Sequence, residues 1–192
     1  MRDPTTGLYY HGWDESRSER WSNPTTGCSP CFWGRAMGWY LMALVDCWEL
    51  TAPDEKISRP LATTLQETSD ALMRVRSPRG LWFQVLDQGS RAGNYEEASA
   101  SLMFAYALMK GARLNVLPKT LGEAGWESLC ACVDEFLTDR TLSGICGVAG
   151  LGNVPYRDGS YEYYLSEPVV ANDPKGVGAL FMALSEGLQR RA

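Results

Sequence analysis

Apolar residues fall into two kinds of run along this chain. Trp33 to Trp48 reads WGRAMGWYLMALVDCW, in which only Arg35 and Asp46 are charged. Ala98 to Met109 (ASASLMFAYALM) and Gly176 to Ser185 (GVGALFMALS) carry no charge at all. Helices that are apolar all round are buried on most faces. The runs between them are amphipathic at helical spacing. In Pro60 to Arg76, Leu61, Leu65, Leu72 and Val75 form a stripe opposite Glu67, Asp70 and Arg74. In Leu121 to Leu137, Trp126, Leu129, Cys130, Val133 and Leu137 oppose Glu123, Glu127 and Asp134. The order is buried, amphipathic, buried, amphipathic, buried.

Start signals agree with these limits. Ser29-Pro30 precedes the first run, Pro60 opens the second, Pro118 the fourth, and Asp173-Pro174 gives the fifth a cap followed by proline at its first position. Asn94 with Glu97 reads as a capping box for the third. An internal repeat reinforces the order. Gly7-Leu8-Tyr9-Tyr10-His11-Gly12-Trp13-Asp14 matches Gly80-Leu81-Trp82-Phe83-Gln84-Val85-Leu86-Asp87 at a spacing of 73 residues, and Leu142-Ser143-Gly144-Ile145 is a fainter third copy. Each unit is a Gly-Leu-aromatic turn, a long loop, an inner helix, then an outer one. Alternating inner and outer helices are what a closed ring of helical hairpins requires, so the expected fold is all-α, an α/α toroid. Five helices make about two and a half hairpins. A six-hairpin ring would need roughly 400 residues at this spacing. The 192 residues are therefore expected to form a single partial domain, 1–192, the C-terminal half of a larger ring, with apolar side chains bare on its first and last inner helices.

Composition narrows the function. The net charge is −5 and no run of Lys or Arg exceeds two, which argues against nucleic acid or a polybasic membrane contact. No apolar stretch is long enough to span a bilayer, and Met1 to Glu15 has no apolar signal-peptide region. The one histidine, His11, rules out a multi-histidine metal site, and no metal or cofactor is expected. Cys28 and Cys31 make one CxxC pair without a second, and the six cysteines read as buried free thiols.

Candidate chemistry gathers in residues 7–48, which hold His11 and five of the seven tryptophans. Arg35 and Trp39, four apart, share a helix face with Trp33 at its entrance. An arginine on a buried apolar helix needs a carboxylate partner, from the protein (Asp14 or a glutamate) or from a ligand. Asp14 recurs as Asp87, which also fits a turn-capping role.

Four motifs, YYHGWDES (from Tyr9), GCSPCFWGRAMGWYLMALVD (from Gly27), GNYEEASASLMFAYAL (from Gly93) and AGLGNVPYRDGSYEYYLSEPVVANDPKGVGALF (from Ala149), resemble glycoside hydrolase family 105, the unsaturated rhamnogalacturonyl hydrolases. The resemblance covers nearly the whole chain. It implies a six-hairpin α/α barrel that removes an unsaturated galacturonyl residue from rhamnogalacturonan fragments. An acid protonates the C4=C5 double bond, water adds at C5, and the hemiketal opens to expel the remaining sugar. By the same resemblance His11 is the active-site histidine, and Trp33, Arg35 and Trp39 line the pocket, with Asp14 beside them. The family's general acid falls before the first motif, so this chain is expected to lack it. Asp14, Glu96, Glu97 and Glu162 lie in candidate loops, and none is nominated in its place. Two other readings stand beside the enzyme: a non-catalytic oligosaccharide-binding remnant, and a helical-repeat interaction scaffold. Loop aromatics favour a sugar ligand over a protein one.

Overall fold

The computed structural model describes residues 1–189. Its helices are α1 (Gly34–Thr51), α2 (Glu55–Arg74), α3 (Ala98–Arg113), α4 (Lys119–Phe136), the short α5 (Tyr161–Ser166) and α6 (Pro174–Gln189). Two-residue strands pair antiparallel in two places: β1 (Leu137–Thr138) with β2 (Thr141–Leu142), and β3 (Ile145–Cys146) with β4 (Val169–Val170). All five expected helices form. The sixth, α5, lies in the long loop before α6, where the YEYY block was not read as helical.

Packing sorts the long helices into two layers. α3 touches α1, α4 and α6, and α2 lies on α1. From Ala98 to Gly111 every residue of α3 is buried, so α3 is the middle of an inner row α1–α3–α6, with α2 and α4 outside. The uncharged inner runs and the amphipathic outer ones follow from that arrangement. Small residues allow the close approach. A Cβ added at Gly38 of α1 would stand 2.9 Å from the Met103 Cβ of α3, and one at Gly125 of α4 only 2.9 Å from the Ala105 carbonyl.

The loop end is stitched by the repeat. Gly7, Gly80 and Gly144 all adopt positive φ (76°, 83° and 70°), a conformation that glycine enters without strain. The following Leu8, Leu81 and Ile145 are fully buried. The starts of α1 and α3 donate to the next repeat turn, Gly34 N–H to the Gln84 carbonyl and Ala98 N–H to the Gly144 carbonyl, both at 2.9 Å. These bonds satisfy amide donors that a helix leaves orphaned.

Two start signals are corrected. Pro60 lies inside α2, which begins five residues earlier at Glu55. Asp54 caps it by accepting from Lys56 N–H at 3.0 Å, and that cap outweighs the helix bond that proline deletes. Asn94 does not cap α3. Its Nδ2 donates to the Val85 and Gln88 carbonyls, both at 2.9 Å, while Glu97 itself is the cap, accepting from Ala100 N–H at 2.6 Å.

Bare apolar side chains stand on the first and last inner helices, as expected of an open row. Trp39 is 50% and Leu50 82% exposed on α1; Phe181 is 67% and Leu188 70% exposed on α6. The six cysteines are free. Cys47, exposed on α1, and Cys130, half-buried on α4, depart from the buried reading.

The α1–α3 seam should not tolerate bulk. Gly38→Val is expected to lower stability by about 1–3 kcal/mol, since its branches meet Met103 where only hydrogen now fits. Equilibrium urea unfolding checks this; an unchanged midpoint would contradict the packing described.

Candidate active site

Arg35 is fully buried, and its fork is already engaged. Nη1 donates to Ser99 Oγ at 3.2 Å and, in a very short contact, to the Cys146 carbonyl. Nη2 donates to the Gly147 carbonyl at 3.2 Å. Nη1 also lies 3.8 Å from Glu97 Oε1, and the guanidinium sits 4.8 Å from the Trp33 ring centroid. Glu97 is equally enclosed. It accepts from Ser99 Oγ (2.8 and 2.9 Å), Ala100 N–H (2.6 Å) and Cys146 N–H (2.9 Å). Hydrogen bonds of this number are what make two desolvated charges tolerable. The expectation that Arg35 is left open for a substrate carboxylate is therefore corrected: its partner is Glu97 of α3.

Trp33 is also buried. Its Nε1 donates to Gln84 Oε1 at 3.1 Å, and Gln84 Nε2 donates to Cys146 Sγ at 3.1 Å and the Tyr164 carbonyl at 3.2 Å. Trp39 shares the long helix with Arg35 but is half exposed, whereas Trp33 and Arg35 are buried. Asp14 is a loop organiser. Its carboxylate accepts from Ser16 N–H (3.0 Å) and Oγ (2.7 Å), Ser18 N–H (2.7 Å) and Glu19 N–H (2.8 Å). Those bonds, the Glu19 one foremost, hold its pKa down at about 2. Its expected place at the substrate is corrected to the turn-capping alternative. Of the other loop carboxylates, Glu96 pairs with Arg79 at 3.2 Å and Glu162 with Arg91.

His11 keeps its place. The imidazole packs on Trp33 with centroids 4.7 Å apart, and Nδ1 meets Tyr164 Oη at 2.6 Å. Burial pulls its pKa down to about 4, and burial pushes the Tyr164 phenol upward, so both are neutral at ordinary pH. With Nδ1 committed, Nε2 is the nitrogen left to face a ligand. His11 borders a cleft of about 180 Å³ lined by Met1, Tyr9, Tyr10, Ala36, Met37 and Tyr40. Tyr9 and Tyr40 meet as a tilted pair with centroids 4.8 Å apart, and Tyr10 packs on Phe32 at 4.4 Å. A half-open cleft with tyrosine walls and one neutral histidine suits a sugar ring: flat apolar faces for its C–H groups and hydroxyls for its polar edge. Among the described residues, no three His, Cys, Asp or Glu side chains gather as a cation site. Tyr164, Gln84 and Cys146 were missed as site residues, while Glu97 was named only among the loop carboxylates; the trace of Tyr164 was the aromatic density of YEYY.

An arc of inner helices under an outer layer, with an aromatic cleft at the loop end, is the architecture of the α/α-toroid glycoside hydrolases. The family model for Glycosyl Hydrolase Family 88 matches residues 1–191, and the chain belongs to that family, within the group assigned to family 105. The structure matches a C. acetobutylicum glycoside hydrolase of family 105 with a TM-score of 0.95 and 47% identity, over 98% of this chain and 54% of that one. The chain thus spans about half the length of that enzyme. Protein Atu3128 of Agrobacterium fabrum is 46% identical over 193 residues, 95% of this chain and 82% of the relative. The unsaturated rhamnogalacturonyl hydrolase YesR of Bacillus subtilis is 29% identical over 82% of this chain and 43% of its own length. The toroid fold is therefore established for this chain, and a glycosidase-type function goes with the family.

Two outcomes test the site. Arg35→Met strands the buried Glu97 carboxylate and should cost about 3–5 kcal/mol, lowering the melting temperature by on the order of 10 °C. A melting temperature within a degree or two of the parent would refute the pairing. His11 has a folded pKa of about 4, below its ordinary 6.5. The unfolded chain therefore binds more protons between these values. His11's contribution is intact above about 6.5 and is lost as pH falls toward 4. His11→Gln should flatten the stability slope across that window relative to the parent, as read by melts at stepped pH; parallel slopes would show that the ring is not desolvated.

Proposed function

We propose that this chain is one half of a six-hairpin barrel that removes a terminal unsaturated galacturonyl residue from rhamnogalacturonan oligosaccharides. The observation that carries the reading is the tyrosine-walled cleft closed at one side by His11, whose Nδ1 is taken by Tyr164. The name of the YesR relative supports the substrate class. In this reading hydration of the C4=C5 bond replaces displacement at the anomeric carbon, so the separation rule for paired glycosidase carboxylates does not apply. The proton comes from an acid in the other half of the barrel. His11 Nε2 orients the reacting uronate or its water, and the tyrosines hold the ring. Arg35 and Glu97 set the position of Trp33 beneath His11 and do not meet substrate. Asp14, Glu96, Glu97 and Glu162 are each engaged in a pair or a turn, which supports an acid other than these four.

The test is the loss of unsaturated-uronate absorbance with unsaturated rhamnogalacturonan disaccharide. The 192-residue chain alone should be inert. A chimera that joins it to the part of the C. acetobutylicum enzyme it does not span should turn over, and His11→Ala in the chimera should lower the rate about 10²–10⁴-fold. Turnover by the isolated chain, or a chimera indifferent to His11, would overturn the reading.

A further inference from the structure

The bond between His11 and Tyr164 has a direction, and burial sets it. A neutral imidazole carries its proton on one ring nitrogen and accepts at the other. Tyr164 Oη lies 2.6 Å from His11 Nδ1, and among the described residues this is the one hydrogen bond of the phenol. Were Nδ1–H the donor, the Tyr164 O–H would be left without an acceptor on a side chain that is wholly buried. An orphaned buried hydroxyl bears the full cost of its lost hydration. With the phenol as donor, both groups are satisfied and the imidazole proton sits on Nε2. The length agrees, since 2.6 Å is shorter than N–H donors usually reach and within the span of O–H donors.

The surroundings hold that direction. Tyr164 lies on α5, where Ser160 Oγ accepts from Tyr163 N–H at 3.1 Å and Gln84 Nε2 donates to the Tyr164 carbonyl at 3.2 Å. His11 N–H is tied to the Cys31 carbonyl at 3.2 Å. Trp33 packs on both rings, with centroids 4.7 Å from the imidazole and 6.2 Å from the phenol. Gln84, which the repeat sets at the place of His11, is a fixed donor as well. Trp33 Nε1–H can only donate, so Gln84 Oε1 faces it and Gln84 Nε2 is left to donate.

We infer that Tyr164 is a positioning residue: it fixes His11 in the Nε2–H form, so that the imidazole meets its ligand as a hydrogen-bond donor and takes no proton from it. The identity of that ligand rests on the proposed function; the tautomer rests on the hydrogen bonding alone. For the uronate reaction, Nε2–H serves an acceptor oxygen of the sugar or of the attacking water. The lone pair of Nδ1 is spent on Tyr164, so removal of the proton from that water falls to another group.

The chain holds one histidine, so an untagged sample with nitrogen-15 in its imidazole shows His11 alone. At neutral pH, long-range proton–nitrogen correlation should show Nε2 as the protonated nitrogen and Nδ1 as the bare one. Tyr164→Phe should move both resonances toward the averaged values of an imidazole exchanging between its two forms, with unchanged far-ultraviolet circular dichroism. In the chimera with the C. acetobutylicum enzyme, His11→Gln keeps a donor but no base. It should turn over about 10- to 150-fold faster than His11→Ala, the worth of one hydrogen bond to a charged group. Three results would overturn the inference: a protonated Nδ1 in the parent, a Tyr164→Phe spectrum identical to the parent's, or a glutamine variant as slow as the alanine one. Should Tyr164→Phe not fold, the parent spectrum and the glutamine variant still decide. A chimera inert toward the disaccharide would sink the proposed function instead, and the nitrogen spectra would decide the tautomer.

Discussion

The buried pair of Arg35 and Glu97 is the contact on which the loop end of this molecule depends. Arg35 is the second residue of α1 and Glu97 the cap of α3, so one interaction sets two neighbouring inner helices in register. It also reaches the third repeat turn. Arg35 donates to the carbonyls of Cys146 and Gly147, and Glu97 accepts from Cys146 N–H. Neither charge could remain in that position alone. An uncompensated ion in such surroundings costs several kcal/mol, whereas five hydrogen-bonding groups around the pair share the load. Trp33 is fixed by the same cluster, through the guanidinium above it and Gln84 at its indole nitrogen. The wall on which His11 rests is thus a consequence of a salt bridge that never meets the cleft.

The internal repeat supplies its own control for the site. His11 and Gln84 occupy the same place in consecutive copies. Gln84 is wholly buried, its amide spent on Trp33, Cys146 and Tyr164. His11 has one side against Trp33 and Tyr164 and the other on a cleft. The difference is positional. The second turn is enclosed by the copies before and after it, while the first lies at the end of the row, where α1 has an inner neighbour, α3, on one side only. Openness at the cleft and exposure along α1 have one cause.

How much of this was legible in the sequence depends on the range of the interaction. Burial of whole helices is a local property of composition, so WGRAMGWYLMALVDCW and ASASLMFAYALM announced inner helices without any partner in view. The repeat spoke for the turns because a positive-φ glycine followed by a buried leucine leaves the same residues each time. The pairings did not show. Arg35 demanded a carboxylate, but nothing local separated Asp14, nearby in sequence and already saturated by Ser16, Ser18 and Glu19, from Glu97, 62 residues away on the next inner helix. Shared face was also a weak guide. Arg35 and Trp39 are four apart, yet the first sits where the helix start dives under the loops and the second where the row ends. Tyr164 lies 153 residues from His11, beyond any spacing argument.

The two halves of the physical picture constrain each other. Loop stitching and the burial of α3 hold the arc together without ring closure, because the starts of α1 and α3 are each bonded to the next turn and the central helix is covered on all sides. Closure is therefore not needed for the protomer to fold; it is needed to cover Trp39, Leu50, Phe181 and Leu188. Tyr40 and Ala36, which line the cleft, are the immediate neighbours of the bare stripe on α1. Any helix that packs on Trp39 and Ala43 must stand beside Tyr40, and so becomes a wall of the cleft. Water is excluded from one side of His11 by Trp33 and Tyr164 already. A neighbour on the flank would exclude it from the other, in the place where a protonated acid would have to be kept from ionising by desolvation. The surface that completes the ring is for that reason also the surface that completes the site.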